Sequence, residues 1–201
     1  MILLVDNYDS FTYNLKQYLE VEKEVVVLRN DDPDLLQTAH LAEAICFSPG
    51  PGKPSEAGQM KEVIEQFIFK KPMLGICLGH QALAEVFGAT ISQAKTIRHG
   101  KISPIKQNDP ELFHGLKAEL RVMRYHSLSI KPESLSELFE VTAVALDDQE
   151  IMAIKLQGYP VYGIQFHPES IGTLKGKQML KNFIAVIERS KFNASTYPKS
   201  I

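Results

Sequence analysis

Gly75-Ile76-Cys77-Leu78-Gly79-His80-Gln81 sets one cysteine between two glycines, where an apolar run gives way to a helical pattern. Gly-x-Cys-x-Gly at a strand-to-helix junction has the logic of a nucleophile elbow. The glycines allow a tight turn and close backbone approach, and the side chain between them projects from the top of the sheet. A thiol there faces a helix N-terminus, whose partial positive charge favours the thiolate. Cys77 is the candidate nucleophile. Cys46, inside Ala44-Ile45-Cys46-Phe47, reads as core packing.

Acyl transfer by a thiol needs a base, and the base needs a group to orient it. Among six histidines, His167 follows the strand-like Val161-Tyr162-Gly163-Ile164 and precedes Pro168, which biases it toward extended geometry. Residues two apart in an extended segment point the same way, so His167 and Glu169 fall on one side. That arrangement suits a Cys77–His167–Glu169 triad in which Glu169 holds the imidazole's tautomer and orientation. His126, in Arg124-Tyr125-His126-Ser127-Leu128, is either a second base or a structural histidine. His80 shapes the turn after the cysteine, and His40, His99 and His114 read as loop or surface residues. A zinc site built from Cys77, His126 and His167 lacks any paired metal-ligand spacing, and no metal is expected. The loop Ser48-Pro49-Gly50-Pro51-Gly52-Lys53-Pro54 is rigid and lets substrate approach the backbone. Pro51 has no N–H, so an anion-stabilising amide beside it must belong to Gly50 or Gly52.

These residues need a frame, and the chain alternates strand and helix to supply one. Ile2 to Val5, Glu24 to Leu28, Ala44 to Phe47 and Pro72 to Ile76 are apolar runs suited to strands buried on both faces. Between them, Ser10 is expected to cap a helix carrying Phe11, Leu15, Tyr18 and Leu19. Ser55 is expected to cap another carrying Met60, Val63, Ile64, Phe67 and Ile68, with Pro72 as its stop. Gln81 to Phe87 reads as the helix after the elbow, closed by Gly88. This rhythm predicts an α/β fold with a mostly parallel sheet covered by helices on both faces. From about 89 to 165 the pieces are short and β-rich (Val122 to Arg124, Leu138 to Ala145, Ile151 to Leu156, Val161 to Ile164), which predicts an antiparallel extension. A last amphipathic helix spans Lys177 to Glu188. Residues 1–190 read as one domain and 191–201 as a loose polar tail. Ligands of open α/β sheets bind beyond the carboxyl ends of the strands, where Cys77 and the Gly50 loop would both lie.

Bulk properties narrow the function classes. The chain has 201 residues, 44% hydrophobic and 23% charged, with a net charge near −2. That balance gives no reason to expect nucleic acid or an anionic membrane as partner. No apolar run reaches the roughly 18 residues of a membrane span. Two cysteines and an N-terminus without a basic n-region or cleavage site point to a reduced, cytoplasmic setting.

The assembled motifs resemble the class I, or triad, glutamine amidotransferases, and more narrowly the glutaminase subunits that serve chorismate-using synthases. Asp6-Asn7-Tyr8-Asp9-Ser10-Phe11-Thr12-Tyr13-Asn14 resembles the opening of those subunits. Ser48 to Gly52, Gly75 to Gln81, Arg124 to Leu128 and Phe166-His167-Pro168-Glu169-Ser170 match the family in order. The resemblance covers residues 2 to about 188 and implies a flavodoxin-like fold. It implies that Cys77 attacks the γ-carboxamide of L-glutamine while backbone N–H groups of Leu78 and Gly50 hold the oxyanion. It also implies a glutamine pocket lined by Gly50, Pro51, Gly52, Gln81, Ser127 and Leu128. No cofactor is implied for this half-reaction; the implied chorismate-binding synthase partner would need magnesium. Ammonia would pass to that partner to make anthranilate or, alternatively, aminodeoxychorismate. Pro51 to Gly58 leans toward the anthranilate subunits. A catalytically silent scaffolding subunit and a stand-alone γ-glutamyl hydrolase or cysteine peptidase are the competing readings.

Overall fold

A computed structural model describes residues 1–192. In chain order its elements are β1 (Ile2–Asp6), α1 (Thr12–Leu19), β2 (Val25–Arg29), α2 (Leu35–Leu41), β3 (Ala44–Phe47), α3 (Met60–Phe67), β4 (Met73–Ile76) and α4 (Leu78–Val86). Then follow β5 (Ile91–Gln93), β6 (Lys101–Gln107), β7 (Glu119–Arg124), β8 (Leu128–Ile130), β9 (Phe139–Ala145), β10 (Ile151–Leu156), β11 (Val161–Ile164) and α5 (Gly176–Phe192). The main sheet runs β2-β1-β3-β4-β11-β10-β9-β6-β7, and β5 pairs with β8 alone. Strands β2, β1, β3, β4 and β11 are mutually parallel; β10, β9, β6 and β7 continue the sheet antiparallel. The expected parallel sheet with an antiparallel extension is therefore what forms.

Period-two alternation divides the core. Ile2 and Leu4 of β1 pack with Leu15 and Leu19 of α1 and with Met179, Leu180, Phe183 and Ile184 of α5. Leu3 and Val5 point the other way, toward Leu35 and Ala39 of α2, Val63 and Ile64 of α3, and Ala82 and Leu83 of α4. Both faces are covered, which is why β1, β3, β4 and β11 are buried along their whole length. No helix among the described residues is long and apolar enough to cross a membrane.

Several boundaries differ from the sequence reading. Ser10 does not cap α1. Asp9 accepts from the Phe11 N–H (2.8 Å), and α1 begins at Thr12, whose hydroxyl bonds Asp6. Phe11, expected on the buried side, is 48% exposed. Ser55 lies in a single 3₁₀ turn, Pro54–Glu56, and α3 starts only at Met60. Helix α4 begins at Leu78 rather than Gln81, directly on the cysteine. Helix α5 extends beyond both expected ends, and the tail expected from 191 falls, from 193 onward, outside the described residues.

Candidate active site

The carboxyl ends of β1, β3, β4 and β11 open on one edge of the sheet. They deliver Asn7, the Ser48-Pro49-Gly50 turn, Cys77 and the run Gln165 to Glu169. Strand β1 has β2 on one side and β3 on the other, so the Asn7 and Ser48 ends flank the topological switch point.

Cys77 sits between β4 and α4 with φ 52° and ψ −98°, left-handed backbone that a side-chain-bearing residue adopts only at a cost of about 1–3 kcal/mol. Its N–H is held by the Ile164 carbonyl (2.8 Å), and its own carbonyl accepts from Gln81 N–H (3.1 Å). The flanking glycines make that turn possible. A Cβ on Gly75 would lie 2.5 Å from the Gly79 carbonyl, and one on Gly79 would lie 2.6 Å from Phe47 Cβ. Because α4 starts at Leu78, the Leu78 N–H is among the first-turn donors without a helical acceptor.

The extended segment expected around His167 does not form. The chain bends at Gln165–Phe166 and turns at Pro168–Glu169, with Ser170 N–H reaching back to the His167 carbonyl. That turn brings His167 Nδ1 to 2.6 Å from Glu169 Oε1. Both are buried, and among the described residues neither His167 Nε2 nor Glu169 Oε2 has a hydrogen-bond partner. Burial alone would lower the imidazole's pKa. The neighbouring Cys77 and the Glu169 carboxylate outweigh it and push the pKa up to about 10. The Tyr125 ring packs edge-on against His167, with centroids 5.0 Å apart. The Gln165 amide donates to Cys77 Sγ at 3.5 Å.

The other residues singled out from the sequence divide into two groups. Gln81 is buried and donates to the Leu128 carbonyl (2.9 Å) and to Gln165 Oε1 (3.1 Å), which joins it to both Leu128 and the cysteine. Gly50 lies beside Leu78 and Asn7: a Cβ there would stand 3.0 Å from Leu78 Cδ2 and 2.4 Å from the Asn7 carbonyl. Asn7 in turn clamps the turn before Gly50, donating to Ser48 Oγ through its backbone and to the Ser48 carbonyl through its side chain. Pro51, Gly52 and Ser127 are exposed. Gly52 is turned toward the Glu56 carboxylate, and the Ser127 carbonyl is taken by Ala94 N–H (2.9 Å).

His126 has neither ring nitrogen to spare. Nε2 receives Arg124 Nε–H (3.0 Å) and Nδ1 donates to the Leu128 carbonyl (3.0 Å), so it is neither a second base nor a zinc ligand. Burial first, and then the Arg124 charge, pull its pKa down to about 4. His80 is fully buried against Gly163, and burial lowers its pKa to about 3.

Three participants escaped the sequence reading. Asn7 and Asp9 lie inside the Asp6 to Asn14 opening, whose residue types alone place neither of them beside the triad. Asp9 reaches close enough to Glu169 and His167 to feel both, and burial raises its pKa. Gln165 is brought to the cysteine and to Gln81 by the bend that follows β11, which residue spacing does not announce.

A strained cysteine on a helix N-terminus beside a buried His–Glu pair is acyl-transfer geometry. The family model for class I glutamine amidotransferases matches residues 3–187. The chain belongs to the class I glutamine amidotransferases. Among members of this amidotransferase family, the anthranilate synthase component 2 of Lactococcus lactis is 50% identical over 192 residues, covering 95% of this chain and 97% of that protein. The aminodeoxychorismate/anthranilate synthase component 2 of Bacillus subtilis is also 50% identical, over 92% of this chain and 95% of its own. A solved glutamine amidotransferase of Thermotoga maritima superposes with a TM-score of 0.68 at 18% identity, over 98% of this chain and 87% of that one. At that identity the likeness speaks for the fold alone.

Proposed function

We propose that this protein hydrolyses L-glutamine to glutamate and ammonia through a Cys77 thioester and hands the ammonia to a chorismate-using synthase subunit that makes anthranilate. The observation that carries the reading is the buried Cys77–His167–Glu169 grouping at the start of α4. Cys77 Sγ attacks the γ-carboxamide carbon, and the N–H groups of Leu78 and Gly50 hold the oxyanion. The C–N bond breaks as the His167 imidazolium protonates the departing amine, leaving ammonia and a γ-glutamyl thioester. Neutral His167 then takes a proton from water, which attacks the thioester and expels the Cys77 sulfur. Glu169 steadies the imidazolium throughout. Gln81, Gly50, Pro51, Gly52, Ser127 and Leu128 form the glutamine pocket. No metal or organic cofactor enters these steps.

A synthase partner is supported by the component 2 names of the relatives and by the exposed apolar side chains around the site mouth. Tyr8, Phe11 and Tyr13 precede and open α1, and Ile171 and Leu174, 94% and 85% exposed, lie in the loop between Glu169 and α5. Aminodeoxychorismate is the second reading of the product, because the Bacillus subtilis relative carries both synthase names.

With the partner bound, Cys77→Ala is expected to abolish glutamine-dependent product formation while synthesis from added ammonium salt continues. Product assays with each nitrogen source check this. Undiminished glutamine use by Cys77→Ala would sink the assignment. Product identity separates anthranilate from aminodeoxychorismate.

A further inference from the structure

We infer that Arg124 and His126 are positioning residues for glutamine: Arg124 compels His126 to donate to the Leu128 carbonyl, and that bond fixes the Leu128 strand edge and the Gln81 amide that meet the substrate. The inference rests on the glutaminase reading above and extends it to two residues that touch neither substrate nor nucleophile.

Arg124 is fully buried at the end of β7. Its NH1 is held by Ser103 Oγ (3.1 Å) and by the Asp147 and Asp148 carboxylates (3.4 and 2.9 Å), which lie in the turn between β9 and β10. Arg98 spans the same two carboxylates (3.0 and 3.5 Å). A guanidinium has donors only, so the ring nitrogen that receives Arg124 Nε–H has to be a lone pair. The proton of the neutral imidazole is thereby placed on Nδ1, which faces the Leu128 carbonyl.

That carbonyl has two lone pairs, and both are used, one by His126 and one by Gln81. It is a fixed post rather than a substrate acceptor. Gln81 spends its other amide N–H on Gln165 Oε1, while its own Oε1 accepts nothing from the described residues. The acceptor left for a ligand is therefore Gln81 Oε1, aimed by the two bonds its nitrogen makes. In an extended strand the N–H and C=O of one residue share an edge, so the Leu128 N–H is aimed to the same side as its carbonyl. Loss of the His126 donor frees the Leu128 peptide and the Gln81 amide together. It removes no hydrogen bond that Cys77, His167 or Glu169 makes directly.

The side chain of asparagine can put an N–H where imidazole Nδ1 stands; glutamine's amide reaches the Nε2 position instead. In the complex with the synthase partner, His126→Gln is expected to raise KM for glutamine roughly 10-fold, as loss of one buried hydrogen bond predicts, with kcat within about 2-fold. His126→Asn should recover most of the loss. A fall in kcat at unchanged KM, or equal behaviour of the two variants, would overturn the inference, since a merely structural histidine gives no such split. The wild-type ring is read separately by ¹⁵N NMR, where a neutral ring protonated at Nδ1 is expected. A ring protonated at Nε2, or an imidazolium at pH 7, would overturn the inference whether or not either variant folds. Calorimetry of glutamine with Cys77→Ser in the complex separates the two levels. No binding there removes the glutaminase reading and this inference with it, whereas binding unchanged by adding His126→Gln removes this inference alone.

Discussion

His167 is pulled two ways, and the balance decides its chemistry. Burial resists the imidazolium, while Cys77 and the Glu169 carboxylate favour it strongly enough to carry the pKa to about 10. Glu169→Gln keeps the volume and removes the charge, so the imidazole should titrate markedly lower. Turnover of glutamine should fall roughly 10²-fold or more, the usual scale for general acid–base assistance. Histidine NMR titration together with kcat in the complex checks both. An unchanged kcat beside a lowered pKa would show that Glu169 is not the orienting group. The triad was legible because a His-Pro-Glu run after an apolar strand stands out in the sequence, although a turn at Pro168–Glu169, and not extended alternation, brings the carboxylate to the imidazole. Arg124 and His126 were not, because their meaning lies in Ser103, Asp147 and Asp148. Nothing in the spacing of those residues announces that the β6, β7 and β9–β10 elements converge there.

At the level of elements, the elbow works because two backbones approach more closely than any Cβ permits. Gly79→Ala would drive its methyl to 2.6 Å from Phe47 Cβ and 2.9 Å from the Phe47 carbonyl, so α4 has to lift away from β3 and carry Leu78 and Cys77 with it. Gly88, by contrast, has open space around it and only its φ of 85° to object, a strain of about 1–2 kcal/mol in an alanine. Gly79→Ala is therefore expected to lose glutamine-dependent synthesis by at least about 10²-fold, on the scale of small misplacements at a reacting centre. Gly88→Ala should lose stability in urea unfolding with activity largely kept. Comparable activities in the two variants would contradict the close-approach account. The buried parallel strands were plain in the sequence because apolar runs survive without context. Helix starts were not: Ser10 and Ser55 have the residue type of caps, but α1 and α3 start after Phe11 and Gln59, with no side-chain cap on either. Helix α2, seven residues without a side-chain cap, and β6, interrupted by Pro104, gave no signal of their own. Pro104 is tolerated because the β6–β9 pairing starts only at Ile105, so no rung beside β9 needs its missing N–H.

Across the whole molecule, three buried histidines give stability a definite dependence on pH. His80 and His126 are held neutral, with pKa values lowered to about 3 and about 4, whereas His167 is held charged to about 10. Between roughly pH 6.5 and 4.5 the unfolded chain takes up protons at His80 and His126 that the native protein refuses, so stability falls as pH falls. Between roughly pH 6.5 and 8 the native protein keeps a proton on His167 that the unfolded chain has released, so stability falls as pH rises. The curve should peak near neutrality, and the acid limb should be about twice as steep as the alkaline one, two protons against one. Asp9, raised by burial, works against the acid limb only at its lower end. Urea unfolding across this range checks the shape, and two variants assign the limbs. His126→Asn should flatten the acid limb by about half, and Glu169→Gln should shorten the alkaline limb by lowering the His167 pKa. Stability that kept rising from pH 6.5 to 8 would mean that His167 is not an imidazolium in the resting protein. The proton that the mechanism assigns to the departing amine would then have to come from somewhere else.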